Sequence, residues 1–298
     1  MHRTDSHNPT CCPLCISAAR YDFAKFGKEF YSCTSCGLGF IHPPLHLDEI
    51  MKLYDQSYYD SWGIAGDDTA TERMKQATFH DKLAVIEKGM PDKGRILDIG
   101  CATGFFLDAA RQRGWEPYGV ELSSYSSAQA RKKIGEERIF TGQVEEARFT
   151  EGFFDTVVMT DVIEHVMDVQ SFVVEVARIL RPGGVVAITT PNPLTLSCRL
   201  LGKHWPHYKL EHLLYFTPDA LSLLMKPLGF RRQQLLTATK TLTFSYVERQ
   251  MRAYPVPVIT PLVCLLGRLL PKAAYHLNFR IPSGELFEIS RLEKGATS

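Results

Sequence analysis

Short β-type runs alternate with amphipathic helical stretches from Gly94 onward, and this alternation constrains the fold more than any other feature. Residues 169–180 carry one apolar stripe at helical spacing, which Pro182-Gly183-Gly184 ends, and Thr217-Pro218 begins a later helix that Gly229 closes. The pattern predicts an α/β fold with a seven-stranded, mainly parallel sheet and helices on both faces. We predict strands at Arg95–Ile99, Pro117–Glu121, Arg138–Thr141, Phe154–Thr160, Gly184–Thr190, Phe230–Thr237 and Glu285–Arg291.

The composition excludes several classes of protein. The 298 residues are 45% hydrophobic, and 34 Lys and Arg against 33 Asp and Glu leave a formal charge of +1. A near-neutral chain has no general attraction to nucleic acid, so we expect no nucleic-acid partner. No stretch is apolar for the roughly 20 residues that a membrane span needs, and the polar start lacks the apolar run of a secretory signal. We therefore expect a cytoplasmic location.

The cysteines indicate a metal site near the N-terminus. Cys12 and Cys15 form one Cys-x-x-Cys pair, and Cys33 and Cys36 form another. Two such turns facing each other across a hairpin can supply the four thiolates of a structural Zn²⁺ site. We predict a zinc-ribbon module at residues 1–44; the alternative is four unliganded or redox-active cysteines. Cys11 is expected to be a bystander, and Gly37 suits the left-handed turn that such pairs often need.

Two further segments flank the predicted sheet. Residues 45–93 show mixed helical spacings and predict a helical connector or lid, which carries Tyr54, Tyr58 and Tyr59. Residues 94–298 form the main domain, with an apolar helical insertion at about 240–282. Within it, residues 256–270 are too short and too interrupted by prolines to span a bilayer. This segment either packs on the core or on a second subunit, as in a homodimer, or forms an apolar lip that touches a lipid-linked substrate or a membrane surface.

A glycine-bearing turn follows the first predicted strand of the main domain. It runs from Asp98 to Gly104 and opens a helix, so that its backbone N–H groups can approach a ligand closely. Glu121 ends the next strand, where a carboxylate can accept both hydroxyls of an adenosine ribose. A nicotinamide dinucleotide would call for Gly-x-Gly-x-x-Gly, whereas the turn has Gly100-x-x-x-Gly104, so this cofactor is disfavoured.

Over nearly all of residues 94–294 the sequence resembles the class I S-adenosylmethionine-dependent methyltransferases, whose fold is Rossmann-like. Their Asp-x-Gly-x-Gly-x-Gly turn corresponds to Asp98–Gly104, with Ala102 in place of the middle glycine, and their later motifs follow in order at residues 142–144, 154–158, 161–166 and 180–184. The resemblance implies S-adenosylmethionine as cofactor. The residues it implies for binding are Asp98, Gly100, Cys101, Ala102, Thr103, Gly104, Glu121, Leu122, Gln143, Val144 and Asp161.

The candidate reacting centre follows the fourth predicted strand. Asp161 and Glu164 are three residues apart and would share a helical face, with His165 beside them. Histidine titrates near neutrality, so His165 is the preferred general base for a hydroxyl acceptor. The alternative is that Asp161 caps a helix and His165 is a buried structural residue. A similar acidic-acidic-His pattern in polyprenyl-benzoate O-methyltransferases implies a divalent cation as a further alternative.

A long connection after the fifth predicted strand provides candidate substrate contacts. In the methyltransferase subgroup that the chain most resembles, the corresponding residues form part of the substrate wall, and this implies such a role for Asn192, Trp205 and His212. His212 is also a candidate catalytic residue, and Tyr59 of the connector is a fourth candidate contact. Alternatively, Trp205 and Tyr215 only cover the edge of the sheet, because aromatic residues bury large areas anywhere.

The main hypothesis is O-methylation of a small molecule, a sugar or a lipid-linked glycan, since the resemblance implies that a zinc ribbon joined to this methyltransferase type is common among enzymes that act on such acceptors. One alternative is methylation of a ribosomal RNA base, because some enzymes of that kind also begin with a Cys-rich module. Another is a catalytically silent adaptor that binds S-adenosylmethionine and contacts a partner through the zinc ribbon.

Overall fold

The computed structural model describes residues 11–45, 49, 69–253 and 255–293. Its strands are β1 (Ala19–Lys25), β2 (Lys28–Cys33), β3 (Gly39–His42), β4 (Arg95–Ile99), β5 (Glu116–Glu121), β6 (Ile139–Thr141), β7 (Phe154–Thr160), β8 (Leu180–Pro191), β9 (Leu214–Tyr215), β10 (Phe230–Leu242) and β11 (Phe279–Leu292). Its helices are α1 (Thr69–Gly89), α2 (Phe105–Gln112), α3 (Ser124–Ile134), α4 (Val169–Ile179), α5 (Leu196–Leu201), α6 (Pro218–Met225), α7 (Phe244–Ala253), α8 (Ile259–Leu269) and α9 (Lys272–Tyr275).

The larger sheet has the strand order β10-β11-β8-β7-β4-β5-β6. The five strands from β8 to β6 are parallel, and β11 pairs antiparallel with both β8 and β10. This confirms the predicted seven-stranded, mainly parallel sheet. Strand β4 lies between β5 and β7, so the strand order extends in one direction through β5 and β6 and in the other through β7 and β8. Ligands of open α/β folds bind at such a topological switch point.

The ends of the elements follow local chemistry. The Asp168 side chain accepts from the Ser171 N–H at the start of α4, and the Thr217 hydroxyl accepts from the Ala220 N–H at the start of α6. After α6, a 3₁₀ turn ends at Gly229, whose φ is 84°. The caps at Thr217 and Gly229 confirm the predicted limits of the later helix, because side-chain oxygens satisfy N–H groups that a helix leaves without partners. Helix α4 ends at Ile179, before Pro182-Gly183-Gly184, which lie within β8 and not at the end of the helix.

Five strands differ from their predicted limits, and β5 does so by a single residue, since it begins at Glu116. Strand β6 begins at Ile139 because Arg138 belongs to a 3₁₀ turn. Strand β8 begins at Leu180, and its register against β7 shifts between Phe154 and Thr156. Gly184 permits this irregularity, since a Cβ there would lie 2.9 Å from the backbone oxygen of Asp155. Strands β10 and β11 extend as a hairpin beyond the body of the sheet, and α7, α8 and α9 connect their far ends.

The smaller sheet joins two distant parts of the chain. Its order is β1-β2-β3-β9, so three strands come from the cysteine-rich segment and the fourth comes from the loop between β8 and α6. Phe30, Tyr208 and Tyr215 pack together beneath it, with ring centroids 5.0–5.9 Å apart. The cysteine-rich segment is therefore fixed against the loop that follows β8.

Candidate active site

The turn after β4 adopts a backbone that favours glycine. Gly100, Ala102 and Gly104 have φ values of 75°, 47° and 80°. A Cβ on Gly100 would lie 2.6 Å from Cγ2 of Val162, and one on Gly104 would lie 3.2 Å from Cβ of Ala130. Ala102, which stands where the related motif has its middle glycine, is thus an L-residue in the left-handed region, at a cost of roughly 1 kcal/mol.

Glu121 connects the tips of β4 and β5. One carboxylate oxygen accepts from the Ala102 N–H at 2.9 Å, and the other accepts from the Ser123 N–H at 2.8 Å. A carboxylate oxygen has two lone pairs, so each can accept from a backbone N–H and from a hydroxyl at the same time. Glu121 therefore both fixes the turn and presents acceptors for a ribose-like diol.

The other predicted cofactor contacts surround this turn in different ways. The Cys101 side chain packs over Gly119 in the core, so only its backbone belongs to the turn. Thr103 is buried, and its hydroxyl has no hydrogen-bond partner among the described residues. Leu122, which follows Glu121, is 49% exposed and offers an apolar surface against which a flat ring can pack. Beyond β6, Gln143 is exposed and Val144 is buried.

Asp98 lies within β4, and its carboxyl group is buried. Asp98 is 4% exposed. Burial raises the pKa of its carboxyl well above the usual range, Glu121 adds to this effect, and Lys82 opposes it. A buried carboxyl of this kind favours its neutral form unless a cationic or donor group faces it.

Lys82 is a further candidate site residue, absent from the sequence-based predictions. Helix α1 places Met74, Thr78, Lys82 and Ile86 on one buried stripe, and the exposed fraction of Lys82 is 5%. Its ammonium group has no hydrogen-bond partner among the described residues. Burial lowers its pKa, and Asp161 is the acidic group that most strongly opposes this effect. The signal available in the sequence was a lysine at helical spacing from Met74 and Ile86.

Asp161 follows β7 and faces the same region. Its backbone N–H donates to the Thr189 carbonyl, and Oδ2 accepts from Lys240 Nζ at 3.0 Å. Its Oδ1 is buried and has no hydrogen-bond partner among the described residues. Although burial alone would raise the pKa of Asp161, the charges of Lys240 and Lys82 lower it to about 2. This carboxylate is therefore ionised.

Glu164, His165 and His212 form a compact cluster of potential ligand atoms that lie within 4.8 Å of one another. Residues 163–165 are a single 3₁₀ turn, so the helical face expected for Asp161 and Glu164 does not exist. Asp161, whose φ is 56°, turns toward Lys240, while Glu164 accepts from the Thr190 hydroxyl at 2.9 Å. His212, rather than Asp161, completes the potential ligand set.

Both histidines of this cluster are held neutral. His165 Nδ1 lies 2.9 Å from the Glu211 carbonyl, which assigns the N–H to Nδ1 and the proton-accepting lone pair to Nε2. Burial lowers the pKa of His165 to about 4, and it lowers the pKa of His212 well below its usual value. Burial also raises the pKa of Glu164 well above its usual value. The cluster therefore contains neutral rings at physiological pH.

The remaining predicted substrate contacts occupy different environments. The Asn192 side chain accepts from the Leu194 N–H at 3.0 Å and closes the turn before α5. Trp205 is 1% exposed, and its indole N–H donates to Ser197 at 3.2 Å. The sheet-edge alternative therefore describes the packing of Trp205 better than a direct substrate contact does. Tyr59 lies outside the described residues, as do Tyr54 and Tyr58.

Cys12, Cys15, Cys33 and Cys36 bring their sulfur atoms together. Sγ–Sγ distances are 3.8 Å for Cys12–Cys36, 3.4 Å for Cys15–Cys33 and 3.6 Å for Cys15–Cys36. Four metal–sulfur bonds of about 2.3 Å in a tetrahedron require sulfur separations of about 3.8 Å. The four thiols therefore fit a closed tetrahedral metal site. Cys11 is exposed and lies outside this group.

Backbone contacts connect the cysteine cluster to the candidate reacting centre. The Thr217 hydroxyl donates to the Cys36 carbonyl at 2.9 Å. Strand β3 pairs with β9, the Ile41 N–H donates to the Leu213 carbonyl at 3.1 Å, and the Leu213 N–H donates to the Glu164 carbonyl at 2.8 Å. His212 precedes Leu213, so its position depends on the smaller sheet.

Comparisons with known proteins identify the family. The sequence model of a family described as a methyltransferase domain matches residues 71–235, more than half of the chain. A Mycolicibacterium smegmatis protein named "Probable S-adenosylmethionine-dependent methyltransferase" is 33% identical over 102 residues, which are 34% of this chain and 40% of that protein. The malonyl-[acyl-carrier protein] O-methyltransferase of Serratia marcescens is 27% identical over 160 residues, which are 53% of this chain and 61% of that protein. The chain thus spans about half the length of these curated relatives.

Solved structures agree on the fold. An S-adenosylmethionine-dependent methyltransferase from Thermotoga maritima has a TM-score of 0.53 at 18% identity and covers 82% of this chain and 99% of its own. One from Archaeoglobus fulgidus has a TM-score of 0.51 at 17% identity and covers 80% and 100%. The chain therefore belongs to the methyltransferase domain family, within the class I S-adenosylmethionine-dependent methyltransferases.

Proposed function

We propose that this chain transfers a methyl group from S-adenosylmethionine to a hydroxyl oxygen of a small molecule, a sugar or a lipid-linked glycan. The observation that carries the proposal is the position of a neutral His165, one turn beyond the end of β7, beside the crevice at the tips of β4 and β5. Relatives named as malonyl-[acyl-carrier protein] and ubiquinone biosynthesis O-methyltransferases support oxygen as the acceptor atom.

The cofactor would supply a methyl group already activated on a sulfonium. The residues that would hold it are those of the turn from Gly100 to Gly104, with Glu121 accepting from the ribose hydroxyls. Leu122, Gln143 and Val144 would border the adenine. What remains for the protein is chiefly orientation, which can contribute about 7–11 kcal/mol in favourable cases.

The amino-acid end of the cofactor fits two unpartnered buried groups. Lys82 offers a cation and Asp161 Oδ1 offers an acceptor on an ionised carboxylate, and neither atom has a hydrogen-bond partner among the described residues. A zwitterion satisfies both, its carboxylate on Lys82 and its ammonium on Asp161. Buried polar groups without partners are costly, so such a pair favours a ligand of complementary charge.

A binding experiment tests this placement without any acceptor. We expect Lys82→Met to weaken binding of S-adenosylhomocysteine by about 10- to 100-fold, the range for loss of a charge-assisted hydrogen bond. Binding of 5′-methylthioadenosine, which lacks the amino-acid end, should be unchanged. Calorimetry of both ligands measures this difference, and Lys88→Met, at an exposed position of α1, is the matched control. Equal losses for the two ligands would contradict the assignment.

His165 would accept the proton of the acceptor hydroxyl through Nε2, because its Nδ1–H is engaged by the Glu211 carbonyl. The carbonyl also fixes the plane of the ring. His212, whose ring centroid lies 4.7 Å from that of His165, would support it, and Asn192 would border the acceptor. Glu164, His165 and His212 also have the atom types of a divalent-cation site, so metal content is part of the test.

The cysteine cluster would hold a structural Zn²⁺. Its sulfur separations fit a tetrahedron, and the N–H groups of Leu14 and Ser35 donate to Cys12 and Cys33 at 3.4 and 3.3 Å, as donors to thiolates would. We expect about one zinc per chain by elemental analysis. A second bound metal, lost in Glu164→Gln but retained in Cys15→Ser, would instead support the divalent-cation alternative at the reacting centre.

The activity itself is tested with methyl-labelled S-adenosylmethionine. The purified chain is incubated with separate small-molecule, glycan-lipid and RNA extracts of the host that lacks the gene. We expect label in the small-molecule or lipid extract, and a strong reduction with His165→Ala at unchanged affinity for S-adenosylhomocysteine. Label in RNA would support the base-methylation alternative, and cofactor binding without transfer to any extract would support the adaptor.

A further inference from the structure

The helices between β10 and β11 form an outlying unit with an apolar surface. Helix α8 packs on α7, where Gly267 lies directly over the Glu248 carboxylate, so that a Cβ there would have to displace it. Tyr275 of α9 donates to the same carboxylate at 2.8 Å. The unit is therefore held together from within, while no residue of α8 is fully buried.

Helix α8 has two distinct faces. Thr260, Val263, Cys264 and Gly267 follow helical spacing and are partly covered. Leucines occupy the opposite face at the same spacing and are 46–72% exposed: Leu262, Leu265, Leu266 and Leu269. A stripe of exposed leucines is not explained by the fold, because large apolar residues at this spacing normally face a core.

The charge of this unit differs from that of the rest of the chain. Residues 243–284 contain five Lys or Arg and one Asp or Glu, whereas the whole chain has a net charge of +1. The single acidic residue, Glu248, is buried and paired with Arg252. Arg268 and Lys272, at the end of α8 and the start of α9, are exposed. The apolar stripe is thus accompanied by exposed positive charge and by no exposed acidic group.

We propose that the leucine stripe of α8 docks this protein on an anionic lipid bilayer. An apolar stripe combined with basic residues is the chemistry of a helix that lies in the membrane interface. A second copy of the chain fits less well, since a two-fold dimer would place the same positively charged surface against itself. Among the described residues no helix is long and apolar enough to cross a membrane.

Vesicle flotation tests the proposal in the absence of cofactor and acceptor, so its result does not depend on the proposed methyl transfer. The full chain is mixed with vesicles of phosphatidylcholine alone or of phosphatidylcholine and phosphatidylglycerol. We expect binding to the second kind only, weakened by added salt because the contact is partly electrostatic.

Two variants separate the contributions. Arg268→Gln with Lys272→Gln should lower the partition coefficient about 25-fold, since each basic residue near an anionic surface contributes about fivefold. Replacement of Leu262, Leu265 and Leu269 by Gln should abolish flotation, since each inserted leucine contributes at least about tenfold. Val174→Gln, at a 52% exposed position of α4, is the matched control and should bind as the unaltered chain does.

Three outcomes would overturn the proposal: no flotation of the unaltered chain with anionic vesicles, equal flotation of the leucine variant, or equal loss with Val174→Gln. A dimer seen by sedimentation that the leucine replacements dissociate, without vesicle binding, would assign the stripe to a second copy instead. Affinity for S-adenosylhomocysteine and the thermal midpoint verify that each variant is folded.

Discussion

The proposed cofactor crevice and the proposed reacting centre lie side by side but are built differently. The part of the crevice around Glu121 is formed by one strand-turn-helix unit and the tip of the next strand, from Asp98 to Glu121, and backbone N–H groups satisfy its central carboxylate. The reacting centre combines residues 164 and 165 with His212, and its position depends on β3 through β9.

The two regions show two ways in which a protein holds the residues of a site in position. A crevice made from local backbone geometry needs only the larger sheet to be folded. A centre assembled from distant segments depends on every element that holds those segments, including the cysteine-rich sheet. We therefore expect changes in the smaller sheet to affect the reacting centre and to spare the crevice.

Loss of the proposed zinc at the cysteine cluster should produce the largest effect. Cys36→Ser removes one of four ligands, and structural zinc can contribute on the order of 10 kcal/mol to folding. We expect loss of bound zinc and at least 100-fold faster amide exchange, roughly, in β3 and β9, with little change in β4. Affinity for S-adenosylhomocysteine should be kept.

The control for that experiment is Cys11→Ser, which alters an exposed cysteine outside the cluster. It should retain the metal and the slow exchange of both sheets. If Cys36→Ser left β9 as protected as before, or if it abolished cofactor binding, the division into a local crevice and a dependent centre would be wrong.

Glu121→Ala should give the next largest effect, confined to the crevice. It leaves the N–H groups of Ala102 and Ser123 without their acceptor and removes the proposed ribose contact. Since each lost partner costs about 1–3 kcal/mol, we expect calorimetry to show at least about 100-fold weaker binding of S-adenosylhomocysteine. Zinc content should not change. Glu116→Ala, at the start of the same strand, is the control, and an equal loss there would point to general damage to β5.

The charge state of the reacting centre can be measured directly. With a pKa of about 4, His165 should show no imidazole titration between pH 5 and 8 in NMR spectra, and His165→Gln assigns its resonances. The lowered pKa also determines how the stability of the folded chain depends on pH. The unfolded chain takes up this proton near pH 6.5 and the folded chain only near pH 4, so the contribution of His165 to stability falls as pH decreases between these values. An inflection near pH 6.5 would contradict a neutral ring set by burial.

Ala102→Gly should give the smallest effect. Its φ of 47° is strained for an L-residue, and glycine relieves the strain but loses more entropy on folding. We expect a gain of about 0.5 kcal/mol in the free energy of unfolding by chemical denaturation and unchanged binding of S-adenosylhomocysteine. Ala109→Gly, within buried α2, should instead lose about 1 kcal/mol or more. Destabilisation by Ala102→Gly would mean that the alanine methyl group has a packing role.

Local features were predictable because their causes are local. Hydrophobic runs and caps located the strands of the larger sheet and the helices α4 and α6, and glycine spacing located the turn from Gly100 to Gly104. The four-cysteine cluster followed from spacing alone. In each case the residues that determine the structure are adjacent in the chain.

Features that depend on distant contacts were not predictable. Asp161 and Glu164 have helical spacing, yet Lys240, from a strand far along the chain, engages Asp161 and leaves Glu164 to face His212. Trp205 is buried beneath a sheet whose fourth strand, β9, is only two residues long. The helical position of Lys82 follows from the sequence, but its burial depends on the packing of α1 against the rest of the fold.

Strand β9 belongs to the smaller sheet although its residues come from the loop between β8 and α6, and this has a consequence for protein engineering. A fragment trimmed to the family match at residues 71–235 would keep β9 but lose β3, and the edge of β9 and the rings of Tyr208 and Tyr215 would face solvent. Unpaired edges with apolar surroundings promote aggregation. When the cysteine-rich module is exchanged between homologues, the loop from Trp205 to Thr217 must therefore be exchanged together with it, although the two segments are far apart in the sequence.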